Sequence, residues 1–282
     1  MSTVVFWSPL QGGSGNSAHT AAAAISMGMD YRLKLLLAHG GMAKERIEGA
    51  FQIGAYTLDQ SLISFQDHGM DAIERLCVNR RLNRENLRDY TLPLLPDRLD
   101  LIQGNAKLEG TMPGYRKQLI QAICSVANQS YDLVIADAGC GIHSNEESGD
   151  TALLEAADLI VVSLNQCVEG LELFFKDGRC PAVIKEKPHI VVLGRYDKYS
   201  HCTLNNVKRR FGYKGSIHGI PYNTDFLDAW NMRSVLPYIQ RSRNLNSRHP
   251  SAAFLESVRS LTKDILTQLE MTSVLKLVER GA

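Results

Sequence analysis

Seven short apolar runs divide the chain, at residues 4–7, 33–37, 99–102, 133–136, 159–163, 189–193 and 216–220. They lack sustained polar alternation and each is bounded by turn residues, the pattern of strands buried on both faces of a sheet. Between them lie stretches with helical character. Residues 17–27 are Ala-rich, residues 115–127 carry apolar side chains at helical spacing, and residues 202–211 stop at Gly212. Strand and helix alternating over most of the length predict an α/β fold, a doubly wound, mostly parallel sheet flanked by helices.

Residues 42–98 depart from this alternation. Short helices are expected at 58–65 and 71–78, and Pro93 and Pro96 close a stretch that reads as an irregular insertion over one sheet edge. A last helix at 252–270 places Phe254, Val258, Leu261, Ile265 and Leu269 on one face, as a helix packed on a sheet requires. There is no internal repeat and no low-complexity linker, so residues 1–282 are expected to form a single domain.

Composition changes this picture little. Hydrophobic residues make up 44% of the 282 and charged residues 22%, ordinary for a folded soluble protein, and a net charge of +1 requires neither nucleic acid nor an anionic membrane. The cysteines, Cys77, Cys124, Cys140, Cys167, Cys180 and Cys202, form no C-x-x-C pair. That argues against a zinc site and for reduced thiols in the cytoplasm. No segment approaches the length of a membrane span, and the first apolar run is too short to export the chain.

The chemistry concentrates where run 4–7 meets the Ala-rich stretch, through Ser8-Pro9-Leu10-Gln11-Gly12-Gly13-Ser14-Gly15-Asn16-Ser17-Ala18. Glycines let backbone N–H groups converge, and a helix N-terminus adds partial positive charge, so such a turn is a phosphate cradle in physical terms. The bland alternative is a tight strand-to-helix connection. The strand before it and the helix after it favour the cradle.

At this loop the sequence resembles the MinD/ParA ATPases, P-loop proteins of the SIMIBI class whose deviant Walker A loop reads K-G-G-x-G-K-[ST]. Every glycine and the terminal Ser17 match, but Gln11 and Asn16 stand where the family has lysines. The resemblance implies ATP or ADP bound with Mg²⁺ by Gln11, Gly12, Gly13, Ser14, Gly15, Asn16, Ser17 and Ala18. In the family the first lysine reaches across a dimer to the partner's nucleotide, and the second pairs with the β and γ phosphates. A lysine gives a full charge and an amide only a dipole, so weakened binding and slow or absent hydrolysis are expected.

Further stretches match in family order, to about residue 240. Tyr131-Asp132-Leu133-Val134-Ile135-Ala136-Asp137-Ala138-Gly139-Cys140-Gly141 resembles the family's strand and switch. It implies Asp137, with Ser17, beside Mg²⁺ and Gly141 at the γ-phosphate, although an Asp in that place is also a common turn cap. Gly219-Ile220-Pro221-Tyr222-Asn223 is similar to the segment that encloses adenine, implying Pro221, Tyr222 and Asn223. Gly194-Arg195 follows a strand that in the family ends in an adenine-reading Asn-Arg; Arg195 is kept and the Asn is not. The family's D-x-D element is also missing, since Leu36-Leu37-Ala38-His39-Gly40-Gly41 offers no carboxylate before Glu45. His39 there is either a base or a hydrogen-bonded strand-end side chain.

The resemblance implies a homodimeric nucleotide-dependent switch that positions or regulates a machine for pilus assembly (a TadZ/CpaE-like branch), secretion, division or partitioning. A pseudo-ATPase scaffold acting through protein contacts is the alternative. Non-specific DNA binding through Lys208, Arg209, Arg210, Arg233, Arg241, Arg243 and Arg248 is weighed against a solvated surface. Peripheral docking on the inner face of a membrane, through Val274, Leu275, Leu277 and Val278, is weighed against continued packing of the last helix.

Overall fold

The computed structural model describes residues 2–40, 47–51, 69–104, 113–141, 149–177 and 180–271. In chain order these form β1 (Ser2–Ser8), α1 (Asn16–Asp30), β2 (Leu35–His39), α2 (Met70–Val78), β3 (Leu92–Leu95), β4 (Leu99–Leu101), α3 (Pro113–Ser130), β5 (Leu133–Cys140) and α4 (Gly149–Ala156). They continue as β6 (Leu159–Asn165), α5 (Val168–Phe175), α6 (Ala182–Glu186), β7 (His189–Gly194), α7 (Leu204–Phe211), β8 (Ile217–Ile220), α8 (Thr224–Asn231), α9 (Val235–Arg241) and α10 (Ala252–Gln268).

The strands form one sheet in the order β3-β4-β2-β5-β1-β6-β7-β8. Every pairing is parallel except β3 with β4. The successive side chains of β1 show why its run is apolar throughout. Val4 and Phe6 join the core beneath α1, α8, α9 and α10, while Val5 and Trp7 join the core of the opposite face, beneath α4 to α7. The stripe expected on α10 faces that first core: Phe254, Val258, Leu261 and Ile265 are buried, and Leu269 packs at its border. Ala21, Ala22, Ala23 and Ala24 are wholly buried, so the Ala-rich stretch is what lets α1 lie close on the sheet.

Elements end where local chemistry stops them. At α7, Thr203 Oγ1 accepts the N–H of Asn206 and Gly212 takes a left-handed φ of 63°, the cap and stop that bracket the helix. The strand β3 was not expected, because Pro93 breaks the apolar pattern; it is tolerated because β3 is the sheet's outer strand and pairs only with β4. In the same stretch α2 sends Ile73 into a third cluster with Leu119 and Ile123 of α3. The helix expected at 58–65 lies outside the described residues. So does the tail beyond Met271, with its membrane-docking side chains. Among the described residues no helix is long and apolar enough to cross a membrane.

Candidate functional site

The loop expected as a cradle joins the C-terminal end of β1, a central strand, to α1, which places it at the carboxyl edge of the sheet where open α/β folds bind ligands. Gly12, Gly13 and Gly15 take φ values of 85°, 74° and 76°. Nothing lies within 4 Å of where a Cβ on Gly12 or Gly13 would stand, so these glycines serve backbone conformation and leave open space above the loop. Among the described residues the backbone N–H groups of residues 12–18 meet no protein acceptor. The first that does is His19, which donates to Gly15 O at 2.8 Å. A run of unpaired donors at a helix N-terminus, under left-handed glycines, is an anion nest.

Asn16, expected at the phosphates, is bonded here to the protein itself. Its Nδ2 donates to Asp137 Oδ1 at 2.7 Å, with Gly139 O at 3.2 Å and Phe6 O at 3.3 Å. All three neighbours are acceptors, so only the amide nitrogen fits there and the orientation of the amide is determined. Asn16 Oδ1 is left buried without a partner. Ser17 also donates its hydroxyl to the Asp137 carboxylate, and Gly139 N–H donates to Asp137 Oδ1 at 2.8 Å. Burial pushes the Asp137 carboxyl above its ordinary range, against the pull of Ser17, Gly139, His39 and Asn16. One carboxylate thus ties the start of α1 to the end of β5. The next turn is held as well, because Gly141 N–H donates to Ser8 O at 2.8 Å.

Two features escaped the sequence reading. His39, in register with Asp137 across β2 and β5, bonds through Nε2 to Glu48 Oε1 at 3.0 Å, and Glu48 also accepts the N–H of Gly104. A carboxylate therefore does approach the end of β2, from the 3-10 turn Ile47–Ala50. The second feature is His19, buried beneath the loop with Nδ1 3.3 Å from Ser163 Oγ. Burial lowers its pKa to about 4, so the ring is neutral at physiological pH. Its only sequence signal was a polar residue inside an Ala-rich helix.

On the far side of the loop Gly194 ends β7. A Cβ there would overlap the carbonyl oxygen of Ser14 and come within 2.8 Å of His19 Cε1, so no side chain fits. Arg195 follows, exposed, at a left-handed φ of 51°. Tyr222 is 54% exposed. Asn223 caps α8, its Oδ1 accepting Phe226 N–H at 2.7 Å and Tyr238 OH at 3.0 Å while Nδ2 donates to Ser251 Oγ at 3.2 Å. In front of the loop a cleft of about 1130 Å³ is bounded by Gln11, Gly12, Gly141, Asn165 and the start of α5.

The structure does not gather the basic residues into one face. α7, with Lys208, Arg209 and Arg210, packs on the opposite side of the sheet from α9, which carries Arg241. Arg210 pairs with Glu172, and Arg243 pairs with Asp30. Among the described residues no group of three His, Cys, Asp or Glu side chains is placed to hold a metal. Ser17 and Asp137 nevertheless offer adjacent hard oxygens, which suit Mg²⁺ shared with phosphates and water.

Comparison with solved structures identifies the fold. The chain superposes on a ParA family ATPase from Chlorobium tepidum TLS with a TM-score of 0.68 at 18% identity, covering 93% of this chain and 98% of that one. It matches the septum site-determining protein MinD from Pyrococcus horikoshii OT3, solved with Mg-ADP, with a TM-score of 0.66 at 14% identity over 95% and 99% of the two chains. For a putative plasmid partition protein from Borrelia burgdorferi B31, bound to AMPPNP, the TM-score is 0.60 at 14% identity over 95% and 99%. No protein-family model matches the chain, and no curated protein matches its sequence.

Proposed function

Taking as premise that this chain has a MinD/ParA-type P-loop ATPase fold, we propose that it is a nucleotide-dependent switch that holds a nucleoside polyphosphate by backbone and hydrolyses it slowly or not at all. The observation that carries this reading is the run of unpaired N–H groups at residues 12–18 beneath the open space over Gly12 and Gly13. Phosphate oxygens would accept from these donors, and Ser17 with Asp137 would hold Mg²⁺, which supplies the positive charge that the loop lacks. The Ser17 hydroxyl would then give up its bond to Asp137 for the cation.

Slow turnover follows from the same geometry. Gln11 and Asn16 bring no charge to the site, and the Asn16 amide is engaged by Asp137, away from the nest. Developing charge on a transferred phosphoryl group would meet only dipoles and the cation. A homodimer that positions a pilus, secretion, division or partition machine is the biological setting we propose, by likeness to a septum site-determining protein and a putative plasmid partition protein.

Thermal unfolding of the full chain with Mg-ATP tests the reading, because a ligand that binds only the native state must raise its apparent stability. We expect a shift at millimolar Mg-ATP with no measurable phosphate release. The double substitution Gln11→Lys with Asn16→Lys should enlarge that shift. No shift in either protein would mean that the nest does not hold phosphate.

A further inference from the structure

The loop has two flanks, and they decide which way a bound nucleotide would lie. The hard oxygens of Ser17 and Asp137 stand on the β5 flank, so a cation bridging terminal phosphates would sit there. The nucleoside then points to the other flank, over the ends of β7 and β8, where Gly194 touches Ser14 of the loop and pairs in register with Ile220. Resting on the nucleotide reading above, we infer that this site stacks its base without reading the base's hydrogen-bonding edge, and so takes adenine and guanine nucleotides alike.

Selective recognition of a purine needs a free amide or backbone donor and acceptor at its edge, and on this flank several of these are bonded or absent. Position 194 admits no side chain, because any Cβ there would overlap Ser14 O. Pro221 has no N–H, and Ile220 O already accepts the N–H of Tyr196 at 2.9 Å. Asn223 is the flank's remaining amide, and both of its ends are engaged, with Phe226 and Tyr238 on the oxygen and Ser251 on the nitrogen. These bonds cap α8 and join it to α9 and the start of α10, so releasing them for a base would loosen three helices. What the flank still offers is planar surface: the exposed ring of Tyr222, and the guanidinium of Arg195. Stacking on an aromatic ring or a guanidinium tolerates any base, because every base has a π face.

The test is a set of dissociation constants for the full chain with Mg-ATP, Mg-GTP and Mg-tripolyphosphate, repeated in Tyr222→Ala and Tyr222→Phe. We expect ATP and GTP to agree within about threefold and both to exceed tripolyphosphate by about fivefold or more, the low end of what one stacked base contributes. Tyr222→Ala should bring both nucleotides down towards tripolyphosphate, whose own affinity stays put and so reports an intact fold, while Tyr222→Phe keeps them. A preference of about tenfold or more for either nucleotide overturns the inference and leaves the nucleotide reading standing, since one hydrogen-bonded edge accounts for such a factor. Nucleotides that bind no better than tripolyphosphate overturn the stacking. Binding of none of the three overturns the nucleotide reading itself, and the inference falls with it.

Discussion

The β5 flank and the β7 flank of the loop are held in opposite ways. On the β5 flank Asn16 reaches Asp137, Gly139 and Phe6, and the turn is held by polar contacts. On the β7 flank the contact is close approach, as Gly194 lets Ser14 and His19 pack directly against the strand end. One flank is kept by hydrogen bonds in a buried setting, the other by shape. A glycine loop without lysines can therefore keep its backbone form, provided that its flanks are held by contacts that need no ligand.

The sharpest way to break the contrast is to restore a side chain on the shape-held flank. Gly194→Asn should destabilise the fold by about 3 kcal/mol in urea unfolding, since the overlap with Ser14 O is with backbone. A loss below about 0.5 kcal/mol would show that the flank has room and that shape does not hold it. On the bonded flank Asp137→Ala removes the acceptor of Asn16, Ser17 and Gly139 together. The expected cost is about 2 kcal/mol, mostly from buried donors left unpaired.

Acidity separates a carboxylate whose burial outweighs its hydrogen bonds from one whose hydrogen bonds outweigh its burial. Burial raises the folded pKa of Asp137, so its contribution favours the folded state at acid pH and is lost as pH rises through that raised value. Burial also pushes Asp264 up, but hydrogen bonds from Ser216, His218 and Gln268 outweigh it and hold its carboxyl below the ordinary range. Its contribution is present above the unfolded pKa and is lost as pH falls through the folded one. As pH falls, melting temperatures should therefore move in favour of the wild type relative to Asp137→Asn, and against it relative to Asp264→Asn. Parallel trends would contradict this assignment. A smaller effect is expected from Asn16→Ala, about 1 kcal/mol, because Asp137 keeps Ser17 and Gly139 and the orphan Asn16 Oδ1 is removed at the same time. If Asn16→Ala costs as much as Asp137→Ala, the amide rather than the carboxylate organises this flank.

Much of the fold was legible because its strands are apolar on both faces. Each of the seven runs became a strand in one sheet, and the run of residues 4–7 needed no partner to reveal itself. Short helices such as α5, α6 and α9 were not legible, since five to eight residues carry too little of the helical period. The strand β3 hid behind Pro93. At the site, the glycines announced the loop, because left-handed backbone is a local requirement that a residue type records. The bonds of Asn16 were not legible, because its partners Asp137 and Gly139 lie more than a hundred positions away.

The sequence by itself therefore determined the alternation of strand and helix, the place of the glycine loop between them, and the absence of lysine charge at Gln11 and Asn16. These are local properties of pattern, backbone freedom and charge. Only the tertiary structure decided that Asn16 faces Asp137, that Glu48 reaches His39, and that Gly194 is shut against Ser14 and His19. Those contacts depend on how strands distant in the chain are ordered side by side, and a side chain's partner is set by that order rather than by its neighbours in sequence.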